Sequence, residues 1–227
     1  MSPKQRAAEA AMKFVRDGMV VGLGTGSTAD LFLQALAAAI KGGQVRNVRG
    51  VPTSRQSERR AQHLGIPLTT LAESPRPDVT IDGADEVAPN LDLIKGLGGA
   101  LLREKMVAQD SQKLVIIADA GKAVSKLGTK ALLPIEVVQF AHETQEKFLR
   151  SLGAVPALRR SADAVYVTDN GNYIYDCRFP TGIDDATKLD LALRRRAGVV
   201  ETGLFVGMAH VALVADETRV DERVRRP

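Results

Sequence analysis

The sequence is poor in the residues that build redox and metal centres. Of its 227 residues only Cys177 is a cysteine, and the three histidines, His63, His142 and His210, stand far apart. One cysteine forms no internal disulfide, and histidines without close spacing do not make a zinc site, so no metal and no redox chemistry is expected. Aromatic residues amount to 4% and do not interleave with basic ones. With no zinc-finger or RNP-like stretch either, nucleic acid is not an expected partner. No apolar run reaches the length of a membrane span. The opening MSPKQRAAEAAMKFV reads as an alanine-rich helix rather than a secretory leader, which points to a cytoplasmic protein.

What is present is enough apolar material, 44%, for a substantial core. The formal net charge of +4 is mildly basic and suits a phosphorylated ligand. The run Arg194-Arg195-Arg196 reads as a solvated last helical turn before Gly198, and the closing RVDERVRRP as a mobile charged tail.

Short apolar runs alternate with helical stretches through the first half. Met19-Val20-Val21 leads into GLGTGSTAD and then the helical LFLQALAAAI, with Ser27 and Asp30 in capping-box spacing. A helix over 54–64, the runs DVTI and LDLI, a helix after Gly99 and the strand KLVIIA continue the pattern. Such alternation predicts a parallel sheet covered on both faces. After Pro134 the order becomes β-α-β-β-α-β, with AVYVTDNGNYIYDC expected as two strands joined at Asn170-Gly171 and VVETGLFV as one strand. The expected fold is α/β: a Rossmann-like parallel-sheet domain, 1–130 plus 206–227, with an inserted smaller ferredoxin-like α+β domain, 131–205.

Four segments put chemistry at predicted strand ends. The loop Gly22-Leu23-Gly24-Thr25-Gly26-Ser27-Thr28 matches neither the dinucleotide nor the Walker pattern. Its glycines and hydroxyls can still turn donors toward a phosphate at a helix N-terminus, although a plain strand-to-helix turn accounts for them equally. TIDGADEV sets Asp82, Asp85 and Glu86 after an apolar strand, where acids serve either a ligand or mere solubility. In KGLGGALLREK, three glycines permit a close approach, and Glu104, in the early turns of the next helix, leans back toward Lys95. That makes Glu104 a candidate general base, its ionised form favoured by the positive helix end. The plain alternative is a solvated triplet Arg103-Glu104-Lys105. ADAGK adds Asp119 and Lys122 at another strand end.

Taken together and in order, GLGTGST, DGADE, KGLGGALLREK and ADAGK resemble ribose-5-phosphate isomerase of the A type, and LPIEVV, VTDNGN and VETGLF extend the likeness over nearly the whole chain. The resemblance implies interconversion of D-ribose 5-phosphate and D-ribulose 5-phosphate without cofactor or metal, in a homodimer or homotetramer. It implies Glu104 as the base between C2 and C1, Asp82 and Asp85 for hydroxyl protons and ring opening, and Lys95 for the oxyanion. Thr25, Gly26, Ser27 and Thr28 match the ligand loop, Lys122 a phosphate-associated lysine, and Gly98 and Gly99 the close-approach segment; Lys4 and Ser54 fall near ligand-contacting positions. The alternatives are a non-catalytic sugar-phosphate sensor and another enzyme on this scaffold, a sugar-phosphate deaminase or CoA-transferase relative.

Overall fold

The computed structural model describes residues 1–225. Along the chain come α1 (Pro3–Ala11), β1 (Val20–Leu23), α2 (Ser27–Lys41), β2 (Arg49–Pro52), α3 (Arg55–Leu64), β3 (Val79–Gly83), β4 (Glu86–Val87), β5 (Leu93–Ile94), α4 (Leu101–Asp110) and β6 (Leu114–Asp119). They are followed by β7 (Leu133–Val137), α5 (Glu143–Ser151), β8 (Val155–Leu158), β9 (Arg160–Ser161), β10 (Ala164–Val165), β11 (Tyr173–Arg178), α6 (Ala186–Arg194), β12 (Val199–Thr202), β13 (Leu204–Phe205), β14 (Val211–Ala215) and β15 (Val220–Val224). These elements form two compact units. Met1–Ala84, Arg103–Ala123 and the segment from Met208 make the first; Asp85–Leu102 and Val124–Gly207 make the second.

The first unit is built on a six-stranded sheet in the order β15-β14-β6-β3-β1-β2, parallel except for the edge strand β15. Its central strands carry continuous apolar runs, as in Val115-Ile116-Ile117, because both faces are buried. Helix α2 presents Ala29, Phe32, Leu33, Leu36 and Ala39 to the core, a spacing of three and four residues that forms one stripe. Full burial of a side chain such as Leu36 contributes about 1.5–3 kcal/mol. The alanines Ala7, Ala8 and Ala11 are the buried face of α1.

Two local expectations fail here. The Ser27/Asp30 capping box is absent: Gly26 is the N-cap and its side-chain-free position makes no cap bond, while the Asp30 carboxylate receives Arg60 instead. The tail expected to be mobile is a strand over Val220–Val224, paired in register with β14. Its hairpin is set by Asp216, whose carboxylate accepts from the N–H groups of Thr218 and Arg219. These bonds hold that carboxyl down at about 2. Arg226 and Pro227, the rest of the expected tail, lie outside the described residues.

In the second unit β7-α5-β8-β11-α6-β12 forms an antiparallel sheet in the order β12-β7-β11-β8, the ferredoxin-like arrangement. Asn170-Gly171 does turn the chain, with the Gly171 N–H donating to Thr168 O, but it does not join a hairpin. The residues before it are not a partner of β11, whose neighbours are β7 and β8. LDLI is likewise not in the parallel sheet: only Leu93–Ile94 is extended, and it sits between β4 and β13 in a small antiparallel sheet. The run VVETGLFV, expected as one strand, is two. Gly203 donates to Pro134 O and accepts from Lys95 N, so the chain passes there from one sheet to the other. Because those pairings tie it to Leu204 and Phe205, Asp85–Leu102 groups with the second unit, a division that differs from the continuous 131–205 insertion expected.

Candidate active site

In the first unit the chain leaves β1 for β2 on one side and for β3 and then β6 on the other. The gap between β1 and β3 is therefore the topological switch point, where the loops after the strands diverge and ligands of open α/β sheets bind. The loop Gly24–Thr28 and Asp82 occupy it. Asp82 is fully buried, and its Oδ1 accepts from the N–H groups of Thr25 at 3.0 Å and Gly83 at 2.7 Å. Position 24 admits only glycine beside it: a Cβ there would stand 2.3 Å from Asp82 Oδ1 and 2.6 Å from Asp82 Cα.

Beyond Thr25 the loop turns at Gly26, with φ at 109°, and α2 starts at Ser27, so its first N–H groups follow directly on the loop. Lys4 Nζ donates to Ser27 Oγ at 3.0 Å, which brings the N-terminal lysine to the loop. The Thr25 hydroxyl lies 2.8 Å from both Thr53 Oγ1 and Ser54 Oγ. Ser54 is itself fixed as the N-cap of α3, accepting from Ser57 N. A cavity of about 100 Å³ beside this hydroxyl group is lined by Gly24, Thr25, Gly26, Asp30, Ser57 and Arg60, with the Arg60 guanidinium held by Asp30 at 2.5 and 3.3 Å. On the next strand over, β6 ends at Asp119, which accepts from Gly121 N, and Lys122 closes the short turn that follows.

Glu104 lies in the first turn of α4 and is 4% exposed, and Lys105 is 1% exposed. Burial of both removes the reading of residues 103–105 as a solvated triplet, since a charged side chain leaves water only with compensating partners.

In the second unit Asp85 follows directly on the first-unit strand that bears Asp82. Its Oδ2 accepts from Leu97 N at 3.0 Å, and its own N–H donates to Ile94 O, so the acidic and glycine-rich motifs are bonded to each other. Lys95 is 2% exposed, and its Nζ stands 5.3 Å from the centre of the Phe205 ring. Gly96 and Gly99 have φ of 101° and 81°, values that L side chains rarely adopt, and Gly99 N closes the turn onto Gly96 O. Gly98 is exposed at its tip. The Tyr166 hydroxyl fills the space where a Cβ on Gly99 would be.

Glu86, which the sequence presents beside Asp82 and Asp85, has a different task. Fully buried, it accepts from the N–H groups of Gly128, Lys130 and Ala131 at 2.6–2.7 Å and anchors that loop. Two groups escaped the sequence reading: Thr53, which carries no local signature, and Arg159, which reaches back to Gly96 and Leu97 from a distant segment. Among the described residues no cluster of histidine, cysteine, aspartate and glutamate is arranged to hold a metal ion, and no helix is long and apolar enough to cross a membrane.

An open α/β sheet with hydroxyls, a buried acid and a helix N-terminus at its switch point belongs to a class whose strand ends are suited to a small anionic, hydroxyl-bearing molecule. The comparisons narrow it. The chain matches the family Ribose 5-phosphate isomerase A (phosphoriboisomerase A) over residues 49–219. It is 51% identical to the ribose-5-phosphate isomerase A of Gloeobacter violaceus over 219 residues, covering 96% of this chain and 94% of the relative. Against that of Desulfatibacillum aliphaticivorans it is 49% identical over 220 residues, covering 96% and 95%. Among solved structures, a D-ribose-5-phosphate isomerase in complex with phospho-erythronic acid superposes with a TM-score of 0.95 at 39% identity, over 98% of this chain and 97% of that one. The Plasmodium falciparum ribose 5-phosphate isomerase gives 0.95 at 37% identity over the whole of both chains.

The chain belongs to the ribose-5-phosphate isomerase A family. It is an aldose–ketose isomerase of the pentose phosphate pathway that interconverts ribose 5-phosphate and ribulose 5-phosphate, which sets aside the non-catalytic sensor and the other enzymes on this scaffold.

Proposed function

We propose that the interconversion runs through an enediolate, with Glu104 as the base that removes the C2 proton of the open-chain aldose and returns it to C1. Asp82 and Asp85 move the hydroxyl protons and open the sugar ring, and the Lys95 ammonium stabilises the charge that develops on the carbonyl oxygen. The loop Thr25-Gly26-Ser27-Thr28, with Lys122 and Lys4, holds the phosphate, while Gly98 and Gly99 let backbone approach the sugar. No cofactor or metal enters this scheme, because proton transfer between adjacent carbons needs only a base and an oxyanion donor.

The observation that carries the reading is the burial of Glu104 in the first turn of α4, directly after the Lys95–Ala100 segment. A carboxylate in the first turn of a helix faces the positive end of the helix dipole, and exclusion of water strengthens its interaction with a reacting group. A positioned base of this kind supplies about 10² to 10⁴ in rate. The phospho-erythronic acid of the solved relative, a phosphorylated sugar acid, supports a sugar phosphate as the ligand here. We place the reaction in the cytoplasm, where a lone buried thiol such as Cys177 stays reduced, and in a homodimer or homotetramer.

Glu104→Gln tests the assignment. Turnover is followed by proton NMR of ribose 5-phosphate in D₂O with chelator-treated protein. The variant is expected to keep its fold and its affinity for the sugar phosphate and to lose about 10² to 10⁴ in kcat. Near-normal kcat would remove Glu104 from the base role.

A further inference from the structure

The segment that bears Lys95 is held by side chains the reaction scheme does not use. Arg159 is only 12% exposed, and its guanidinium is gripped by Asp176 through Nε at 2.8 Å and Nη2 at 2.5 Å, a two-pronged pair that fixes the plane of the fork. With those nitrogens engaged, the remaining one, Nη1, donates to Gly96 O at 3.3 Å and to Leu97 O at 3.1 Å. The backbone of Arg159 is fixed too: its N–H donates to Ile174 O on β11, and its carbonyl accepts from Tyr166 N. The guanidinium carbon lies 5.6 Å from the centre of the Tyr166 ring, whose hydroxyl end abuts Gly99. Burial raises the Tyr166 phenol above its ordinary range.

Glycine-rich backbone has no side chains with which to fix itself, and each glycine carries extra conformational freedom. Between Lys95 and Ala100 the backbone bonds run from Lys95 N to Gly203 O, from Gly99 N to Gly96 O, and from Leu97 N to the Asp85 carboxylate. Arg159 binds the two carbonyls at the bend, and Tyr166 backs the third glycine. We infer that Arg159, oriented by Asp176 and stacked with Tyr166, is a positioning residue for the isomerisation, clamping the Gly96–Gly99 loop so that Lys95 and Asp85 keep their working geometry. The inference rests on the assignment of Lys95 and Asp85 to the reaction, and Arg159 acts through the loop carbonyls rather than on the sugar.

A lysine at 159 cannot hold both Asp176 oxygens and reach a loop carbonyl at the same time, because an ammonium is a point donor and not a fork. Arg159→Lys should therefore recover less than half of what Arg159→Met loses. Two readouts are taken on both variants: steady-state kinetics and hydrogen–deuterium exchange of the peptide covering 95–102. Arg159→Met is expected to lower kcat by about 10- to 100-fold, the scale of an ångström-level misplacement, with KM changed less than threefold. Exchange in 95–102 should accelerate at least about tenfold while β7 and β11 stay protected. Loss of kcat without faster exchange, or faster exchange without loss of kcat, overturns the clamp, and so does full recovery by lysine. If Arg159→Met is too unstable to assay, Asp176→Asn, which loosens the fork and keeps its volume, is measured in the same way. Lys95→Met run in parallel separates the two claims: normal turnover there sinks the assignment of Lys95 to the reaction, whereas exchange of 95–102 in the Arg159→Met protein still reports whether the arginine holds the loop.

Discussion

Gly24→Ala puts the switch-point geometry to its hardest test, because it adds one methyl group at the place where the β1 loop meets Asp82. The new Cβ would lie 2.6 Å from Asp82 Cα and 2.3 Å from Oδ1. Carbon atoms pack at about 3.5–4.0 Å, so loop and strand must part by roughly 1 Å. The partner is backbone in the middle of the sheet, held by Gly24 N to Ile81 O and by Thr25 N to the Asp82 carboxylate, and it cannot swing away as an exposed side chain would. Overpacking of this kind costs about 1–3 kcal/mol. In a chain of 227 residues that lowers Tm by about 3–10 °C. The same displacement carries Asp82 and Thr25 off their positions, and kcat/KM should fall by about 10²-fold. Thermal melts by circular dichroism and turnover of ribose 5-phosphate, measured on one preparation, give both numbers. A variant that melts within about 1 °C of the parent and turns over within twofold would refute the claim that loop and acid are locked together.

Two further outcomes follow from the second unit. Glu86→Gln replaces a carboxylate that accepts three backbone N–H groups with an amide that has one acceptor oxygen, so at least one buried donor is orphaned. Stability should fall by about 2–4 kcal/mol in urea titration, with kcat of the folded fraction within threefold; an unchanged midpoint would refute the anchoring role. Cys177 is fully buried, and burial first, then Asp176 beside it, pushes the thiol up to about 12. Unfolded chains ionise this thiol at the ordinary value of about 9 while the folded protein keeps it protonated, so stability falls as pH rises from 9 toward 12. The slope from this group is at most about 1.4 kcal/mol per pH unit. Urea midpoints at pH 8 and pH 10.5 should drop further for the parent than for Cys177→Ala, and parallel drops would count against it.

How much of this was legible in the sequence depends on the range of the interaction. The strand-loop-helix from Val20 to Lys41 was readable because its signals are local: an apolar run, glycines and a stripe of period three to four. The same local logic misjudged the tail, since Val220–Val224 becomes a strand only because β14 offers an open edge. It misjudged LDLI and VVETGLFV as well, where two-residue strands pair across more than a hundred positions and Gly203 divides one apolar run between two sheets. Asn170-Gly171 turned the chain as expected, yet which strands it served was fixed by β7 and β8.

The sequence by itself determined the alternating α/β architecture, the ferredoxin-like order of the second half, and the membership of the chain in its family, because periodicity and motif spacing are written along the chain. Tertiary structure alone decided that Glu86 holds a loop while Asp82, four residues earlier, faces the glycine turn, and that Arg159 reaches the carbonyls of Gly96 and Leu97 from more than sixty residues away. Identical carboxylates differ only in what surrounds them, and a guanidinium finds its acceptors across space. Burial and long-range hydrogen bonding are properties of the folded neighbourhood, and no stretch of neighbouring residues encodes them.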